Sequence, residues 1–183
     1  MPALWARRPE PQPLLALSAG CGAGEEAWTL GMLLLETAPR AVGAAPRARV
    51  LGVDHSEAFL ATARAASYDS ANHQPLPREL AQRFLQPAVG GSAHIVPELK
   101  ALVSFQHHDL TAGVPPGRYA LIICKNVLLH LSDEAQEALV QSLRRSLTDD
   151  GFLLVARSEV PVVLSLGAKP HEIAPHITAF RAH

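Results

Sequence analysis

The sequence has few cysteines, no excess of basic residues and no long apolar run. Its two cysteines, Cys21 and Cys124, cannot form a disulfide framework and are typical of the reducing cytoplasm, where we expect this chain. Sixteen basic and seventeen acidic residues give a net charge of −1, which argues against a nucleic-acid partner. No stretch approaches the roughly 18 apolar residues of a membrane span, so membrane insertion is not expected.

Short apolar runs alternate along the chain with segments that have the periodicity of an amphipathic helix. The 183 residues, 48% of them hydrophobic, suit one globular domain. The predicted strands are residues 14–17, 49–54, 103–107, 119–124 and 152–156, with a last extended segment at 177–181, and the predicted helices are residues 25–36, 57–66 and 133–147. This order predicts an α/β domain with a mostly parallel sheet covered by helices. The most hydrophobic strand, Tyr119–Cys124, is expected at the centre of the sheet.

Two parts of the chain break this alternation. Residues 1–13 are rich in proline and charge and are interpreted as an N-terminal arm, which leaves residues 14–183 for the main domain. Residues 69–100 are predicted to form a small inserted subdomain, with a loop from Tyr68 to Pro77 and a hairpin turn at Gly90-Gly91.

Side-chain patterns predict the buried faces and the ends of two helices. The helix at 57–66 is expected to carry Phe59, Leu60 and Ala63 on one apolar face. The helix that starts near residue 133 is expected to include Leu147, and Gly151 is expected to end it before the next strand.

A glycine-rich turn at residues 20–24 (GCGAG) connects the first strand to the first helix. Glycines let the backbone turn sharply and let a ligand approach it closely. The helix then opens with Glu25 and Glu26, where a dinucleotide site would present free N–H groups to a pyrophosphate. Two carboxylates would repel phosphates and attract a cation, so the pattern favours S-adenosylmethionine, which carries a sulfonium and an ammonium, over NAD. The alternative is that both glutamates only cap the helix.

Acidic residues also follow the second and third predicted strands. Asp54, at the end of the second strand, can accept hydrogen bonds from both ribose hydroxyls of an adenosyl group. Asp109, just past the third strand, is similarly placed to accept the adenine amino group. The alternatives are a helix N-cap or turn aspartate at Asp54 and a turn aspartate at Asp109.

The segment Cys124–His130 follows the predicted central strand. Ligands of open α/β sheets bind outside the carboxyl ends of the strands, near the point where strand order reverses. Asn126 could line that crevice, and His130 would follow at its rim, unless His130 is a surface or capping histidine. The nine histidines have no fixed ligand spacing, so no metal site is expected.

Six segments in order resemble the chemotaxis receptor methyltransferases of the CheR type, which methylate glutamate side chains. They are SAGCGAGEEAWTL (18–30), VLGVD (50–54), ARAASY (63–68), VPELKALVSFQHHDL (96–110), IICKNVLLHL (122–131) and GFLLVARSE (151–159). The resemblance implies a Rossmann-like class I methyltransferase fold with S-adenosylmethionine as cofactor. It also implies that residues 69–100 are the family's inserted β-subdomain, which can help to dock receptors.

The resemblance assigns roles to single positions. Glu26, or its neighbour Glu25, would contact the methionine amino end of the cofactor, Asp54 the ribose and Asp109 the adenine, and Asn126 would line the pocket. With adjacent residues, the predicted cofactor site comprises Ala19, Gly20, Gly22, Glu25, Glu26, Asp54, His55, Asp109, Leu110, Asn126 and Val127, and the predicted catalytic residue is His130.

The sequence departs from the family at several positions. With only thirteen residues before the first strand, the family's N-terminal helical domain is expected to be absent. Leu15 aligns with an arginine that contacts the cofactor carboxylate, Lys125 replaces the arginine of the C-R-N motif, and His130 replaces a tyrosine near the methyl-transfer centre.

These observations predict a methyltransferase that acts on an oxygen or nitrogen acceptor, either a protein glutamate or a small molecule or peptide. A glutamate, with a reference pKa of about 4.3, is already ionised, whereas an amine or hydroxyl must lose a proton. Histidine, with a reference pKa of about 6.5, can accept that proton, so His130 suggests a changed acceptor. The alternative is a non-catalytic domain that binds the cofactor or a partner, favoured only by Leu15.

Overall fold

The computed structural model describes residues 13–38, 47–69, 76–174 and 177–182. In chain order, its elements are β1 (Leu14–Ala19), α1 (Glu25–Thr37), β2 (Ala48–Asp54), α2 (Glu57–Ala65), β3 (Ser67–Asp69), α3 (Arg78–Phe84), β4 (Leu85–Pro87), β5 (Ser92–Ile95), α4 (Pro97–Lys100), β6 (Val103–His107), β7 (Tyr119–Cys124), α5 (Asp133–Arg145), β8 (Leu147–Val155), α6 (Val160–Ser165), β9 (Pro170–Ala174) and β10 (Ile177–Phe180). Residues 1–12 of the predicted arm lie outside the described residues. Within the described ranges, no helix is both long and apolar enough to cross a membrane.

The main sheet has seven strands in the order β6-β2-β1-β7-β8-β10-β9. β6, β2, β1, β7 and β8 are parallel to one another, and β10 is antiparallel to both of its neighbours. The predicted α/β class and the central position of β7 are confirmed. The chain builds outward from β1 to β6 and then continues with β7 on the other side of β1, so strand order reverses between β1 and β7.

Burial on both faces explains the apolar composition of the inner strands. Leu17 and Ile122 are fully buried in the core that α5 covers, whereas Ala16 and Leu121 belong to the core beneath α1. Burying a leucine or isoleucine side chain stabilises the fold by about 1.5–3 kcal/mol. The two cores therefore hold the carboxyl ends of β1 and β7 in place from both sides.

A second, antiparallel sheet has the strand order β3-β5-β4. Gly90 and Gly91 have positive φ and turn the chain between β4 and β5, so the predicted hairpin is confirmed. Phe84, Ile95 and Leu99, in and beside this sheet, are buried in the same core as α1. A small antiparallel sheet is therefore present in this region, starting at Ser67 and not at residue 69, and it packs against the main sheet and α1; its status as a separate subdomain stays a prediction.

Tyr68 lies in β3, not in the predicted loop, because its backbone pairs with Ala93 of β5. Its hydroxyl donates a hydrogen bond to the Ala23 carbonyl oxygen at 2.8 Å. Burial raises the pKa of the Tyr68 phenol well above its usual value, so the hydroxyl keeps its proton. This bond ties the second sheet to the glycine-rich turn.

The predicted apolar face of α2 is wrong at one residue. Leu60 and Ala63 are fully buried, but the Phe59 side chain is 54% exposed. The helix buries a narrow stripe, and Phe59 lies about 100° around the helix from Leu60, on the side that faces solvent.

The predicted boundary between α5 and β8 is also wrong. Leu147 is the first residue of β8 and pairs with Tyr119, so it is not part of the helix. The next pair in the ladder joins Leu121 to Phe152, which places Gly151 inside β8 at an irregular register. Gly151 therefore lies in an irregular part of β8 that contains extra residues, and it does not end a helix. The sequence patterns did not predict α6 or β9.

We expect Tyr68→Phe to lower the free energy of unfolding by about 1 kcal/mol, because the Ala23 carbonyl loses its donor. Urea denaturation followed by circular dichroism measures this change. An unchanged unfolding midpoint would show that the bond to Ala23 adds nothing to stability.

Candidate active site

The turn between β1 and α1 lies beside the reversal of strand order. The N–H groups of Gly20 and Cys21 both donate to the Val53 carbonyl oxygen at 2.9 Å. Gly20 (φ 78°) has no room for a side chain, because a Cβ there would overlap the Val127 Cγ2 methyl. Gly22 (φ 53°) has open space around it. The first glycine therefore lets two loops pack together, and the second leaves backbone that a ligand can approach.

The Asp54 carboxylate at the end of β2 is buried beside this turn, with 8% of the side chain exposed. Its Oδ2 accepts the Gly22 N–H and its Oδ1 accepts the Ser56 N–H, both at 2.9 Å. A carboxylate has about four lone-pair positions, so about two remain for a ligand. Ser56, not Asp54, is the N-cap of α2. His55 is largely exposed, and its Nδ1 lies 3.6 Å from Asp54 Oδ1, which is too long for a hydrogen bond.

The two glutamates at the start of α1 have different surroundings. Glu25 is exposed, whereas Glu26 is partly buried and its Oε1 accepts the Ser18 hydroxyl at 2.7 Å. Glu26 Oε2 lies 3.2 Å from Lys125 Nζ. Glu26 is therefore directed towards the carboxyl ends of β1 and β7 and away from the free N–H groups of its own helix.

The loop after β7 is held by a carboxylate that the sequence patterns did not identify. The N–H groups of Asn126, Val127 and Leu128 donate to Glu159 at 3.0, 2.8 and 2.8 Å. The Ala156 N–H, just after β8, donates to the same carboxylate at 3.0 Å. Glu159 is fully buried, and Asn126 has a left-handed backbone with φ 59°. One side chain therefore shapes the loop that carries two predicted site residues.

The remaining predicted site residues lie further along the rim. Asp109 Oδ1 accepts the backbone N–H and the hydroxyl of Thr111 at 2.9 and 2.8 Å, and these bonds lower the pKa of the Asp109 carboxyl. Asp109 is thus a turn aspartate by geometry, and its contact with adenine stays a prediction. Leu110 is buried behind it. His130 is exposed at the end of a 3₁₀ turn that starts at Leu128.

The two cysteines near the crevice are free and buried. Burial, with a contribution from the Asp54 charge, raises the pKa of Cys21 to about 12. Burial also raises the pKa of Cys124 well above its usual value. Because the thiolate is the reactive form, neither cysteine is suited to act as a nucleophile at neutral pH.

A cleft of about 1360 Å³ opens beside Glu26, and no sequence pattern predicted it. Its walls come from α1, the second sheet, α6, β10 and the ends of β7 and β8. Most of the lining side chains are apolar, including Trp28, Met32, Leu121, Ile123, Leu154 and Ile177. Its charged lining residues are Glu25, Glu26, Lys125 and Arg157. Because Glu25 and Glu26 also belong to the predicted cofactor site, the apolar cleft lies next to that site.

These residues fit an adenosyl sulfonium better than a dinucleotide. Asp54 retains acceptor positions for a pair of hydroxyls, and the space around Gly22 is open. Three carboxylates, those of Glu25, Glu26 and Asp54, lie at or beside the turn, and the only one paired with Lys125 among the contacts described is Glu26, so the local charge is negative. A negative crevice attracts a cationic ligand and disfavours a pyrophosphate.

The fold is that of S-adenosylmethionine-dependent methyltransferases. A TehB-like SAM-dependent methyltransferase from Corynebacterium glutamicum matches with a TM-score of 0.55 and 15% identity over 94% of this chain and 82% of that chain. The magnesium protoporphyrin IX methyltransferase from Synechocystis, solved with bound SAM, matches with a TM-score of 0.50 and 19% identity over 93% of this chain and 71% of that chain. At these identities the similarity concerns the fold.

The chain belongs to the family described as "CheR methyltransferase, SAM binding domain", whose model matches residues 2–166. A chemotaxis protein methyltransferase from Vibrio parahaemolyticus is 30% identical over 150 residues, 81% of this chain and 54% of that protein. An uncharacterised 104.1 kDa protein from Rhodobacter capsulatus is 32% identical over 145 residues, 79% of this chain and 15% of that protein. The chain thus spans about half the length of the Vibrio relative. The predicted family and its cofactor, S-adenosylmethionine, are confirmed.

We expect Gly20→Ala to lower the free energy of unfolding by about 1–3 kcal/mol more than Gly90→Ala does, because only the first adds an overlap in a packed region. Gly90 is a matched control, since its φ of 79° equals that of Gly20 within a degree and its surroundings are open. Thermal and urea unfolding of both variants measure the difference. Equal losses in the two variants would contradict the close packing of Gly20 on Val127.

Proposed function

We propose that this domain transfers the methyl group of S-adenosylmethionine to an oxygen or nitrogen acceptor that binds in the cleft beside Glu26. The observation that carries the proposal is the buried Asp54 carboxylate, which is bonded to the open Gly22 turn where strand order reverses. Both cysteines are free thiols, which agrees with the cytoplasm as the place of this reaction.

In this proposal each site residue has a binding role. Asp54 accepts the ribose hydroxyls, and Glu26, with Glu25 beside it, attracts the cofactor ammonium. The Gly20–Gly22 turn, with Ala19 and His55 next to it, lies against the cofactor, as do Asn126 and Val127 from the opposite loop. Asp109 and Leu110 border the adenine. Bound S-adenosylmethionine supplies an electrophilic methyl group on a positively charged sulfur.

A protein glutamate is the acceptor that the cleft supports best. Such a carboxylate is already ionised at neutral pH, so alignment alone can supply about 7–11 kcal/mol of the barrier. Arg157 lines the cleft just after the end of β8, where its positive charge attracts a carboxylate, whereas the charge of Lys125 is paired with Glu26. Two relatives are named chemotaxis protein methyltransferases, which supports a protein acceptor.

His130 supports a second candidate, an acceptor that must lose a proton, such as an amine or a hydroxyl. Its imidazole is exposed at the end of the 3₁₀ turn after Val127 and is not among the residues that line the cleft, so this acceptor would bind on the Val127 side of the crevice. A neutral imidazole can take a proton from an acceptor near pH 7, whereas no such step is needed for a carboxylate.

We expect the domain to bind S-adenosylhomocysteine, and Asp54→Asn to weaken binding about ten- to hundred-fold, because hydrogen bonds to a charged group contribute about 1.5–3 kcal/mol. Isothermal titration calorimetry measures both affinities. Asp149→Asn is the control, since Asp149 has a 91% exposed side chain paired with Arg118. No binding by the unmodified domain, at saturating S-adenosylhomocysteine and S-adenosylmethionine, would refute the proposal. Binding without transfer to any acceptor would support a non-catalytic domain instead.

The acceptor is identified by transfer of a labelled methyl group to receptor peptides that contain glutamate, to the same peptides with glutamine, and to amines. For a glutamate acceptor, His130→Phe should leave kcat within about twofold, because no proton is removed. For an amine or hydroxyl acceptor, it should lower kcat about 10²–10⁴-fold and remove the acidic limb of the pH profile. His94→Phe, at an exposed position on β5, controls for loss of a surface imidazole. An unchanged rate with an amine or hydroxyl acceptor would rule out the His130 role.

A further inference from the structure

Glu159 is the one fully buried carboxylate in the described part of the chain. It lies in a 3₁₀ turn between β8 and α6, in the segment 151–159 that resembles the family but received no role. Its Oε1 accepts the N–H groups of Val127 and Leu128, and its Oε2 accepts those of Asn126 and Ala156. All four donors are backbone groups that follow the ends of β7 and β8.

We infer that Glu159 is a positioning residue, which orders the Asn126–Leu128 loop so that it forms one wall of the cofactor crevice. Three consecutive N–H groups that leave a sheet have no partners in the strand ladder, and buried N–H groups are costly when unpaired. Asn126 has a left-handed backbone, which asparagine adopts more readily than other non-glycine residues but which still needs support from its surroundings. The hydrogen bond from the Asn126 N–H to the Glu159 carboxylate provides that support.

The effect of Glu159 reaches the opposite wall of the crevice. Val127, whose N–H it fixes, presents its Cγ2 methyl where a Cβ on Gly20 would lie. A shift of Val127 would therefore open or close the packing against the Gly20–Gly22 turn. Through Val127, Glu159 therefore affects both the loop after β7 and the glycine-rich turn after β1, the two loops at the point where strand order reverses.

The geometry requires a carboxylate at this position. Each Glu159 oxygen accepts two N–H groups, and an ionised carboxylate is an acceptor only. Glutamine would keep one acceptor oxygen and would turn a donor NH₂ group towards two N–H donors. Glu159→Gln is therefore isosteric but loses two of the four bonds.

The inference rests on the proposed cofactor site and is tested in two arms. In the first arm, calorimetry with S-adenosylhomocysteine compares the unmodified domain with Glu159→Gln, which should bind about ten- to hundred-fold more weakly. The control is Leu99→Ala, which disturbs a fully buried position beneath α1 and should leave the affinity within about twofold. In the second arm, amide hydrogen exchange of the ligand-free domain should be faster in Glu159→Gln at residues 126–128 and 156, but not at Ile122 in β7.

Equal affinities and exchange rates in Glu159→Gln and the unmodified domain would overturn the inference, as would equal losses of affinity in Glu159→Gln and Leu99→Ala. If Glu159→Gln does not fold, Glu159→Asp takes its place: it keeps the charge but draws the carboxylate back by one methylene, and it should show a smaller loss of affinity. Wild-type affinity in Glu159→Asp would also overturn the inference. If the unmodified domain does not bind, the proposed function fails, and the exchange arm still decides whether Glu159 orders the loop.

Discussion

Buried carboxylates that accept backbone N–H groups at the ends of β2, β7 and β8 hold the crevice in shape. Asp54 takes the N–H groups of Gly22 and Ser56, and Glu159 takes four more from the segments that follow β7 and β8. Each such N–H would cost about 1–3 kcal/mol if it were buried without a partner. Because Gly20 packs on Val127, the two loops are coupled, and a change in either one reaches the other.

The negative charge of the same region would suit a positive ligand, whereas the start of a helix usually binds an anion. The start of a helix attracts anions through its free N–H groups and its dipole. Here Glu25 and Glu26 already supply the negative charge at α1, and Glu26 reaches across to Ser18 and Lys125. Lys125 offsets one carboxylate charge, and the net charge of the crevice remains negative.

The sequence predicted those features that depend on local patterns. β1, β2 and β7 are short, mostly apolar runs with clear ends, and Asp54 is recognisable because it ends such a run. β8 was predicted with the wrong start, since its irregular pairing with Tyr119 and Leu121 depends on contacts with a distant strand. Glu159 was missed for a related reason. Its partners in the loop lie 31 to 33 positions earlier in the chain, and no local spacing indicates them.

The size and the charged residues of the cleft favour one class of acceptor for the proposed reaction. Pockets for small ligands are typically about 300–1,000 Å³, and this cleft, at about 1360 Å³, is larger and extends along α1 to the second sheet. An extended chain can make contacts along such a length, whereas a small molecule would fill only part of it. Its charged residues are Glu25 and Glu26 at the start of α1, Lys125, which is paired with Glu26, and Arg157 just after β8. A protein segment with apolar residues beside a glutamate would match both the apolar wall and the guanidinium of Arg157, so the size of the cleft and this one charge favour the same acceptor class.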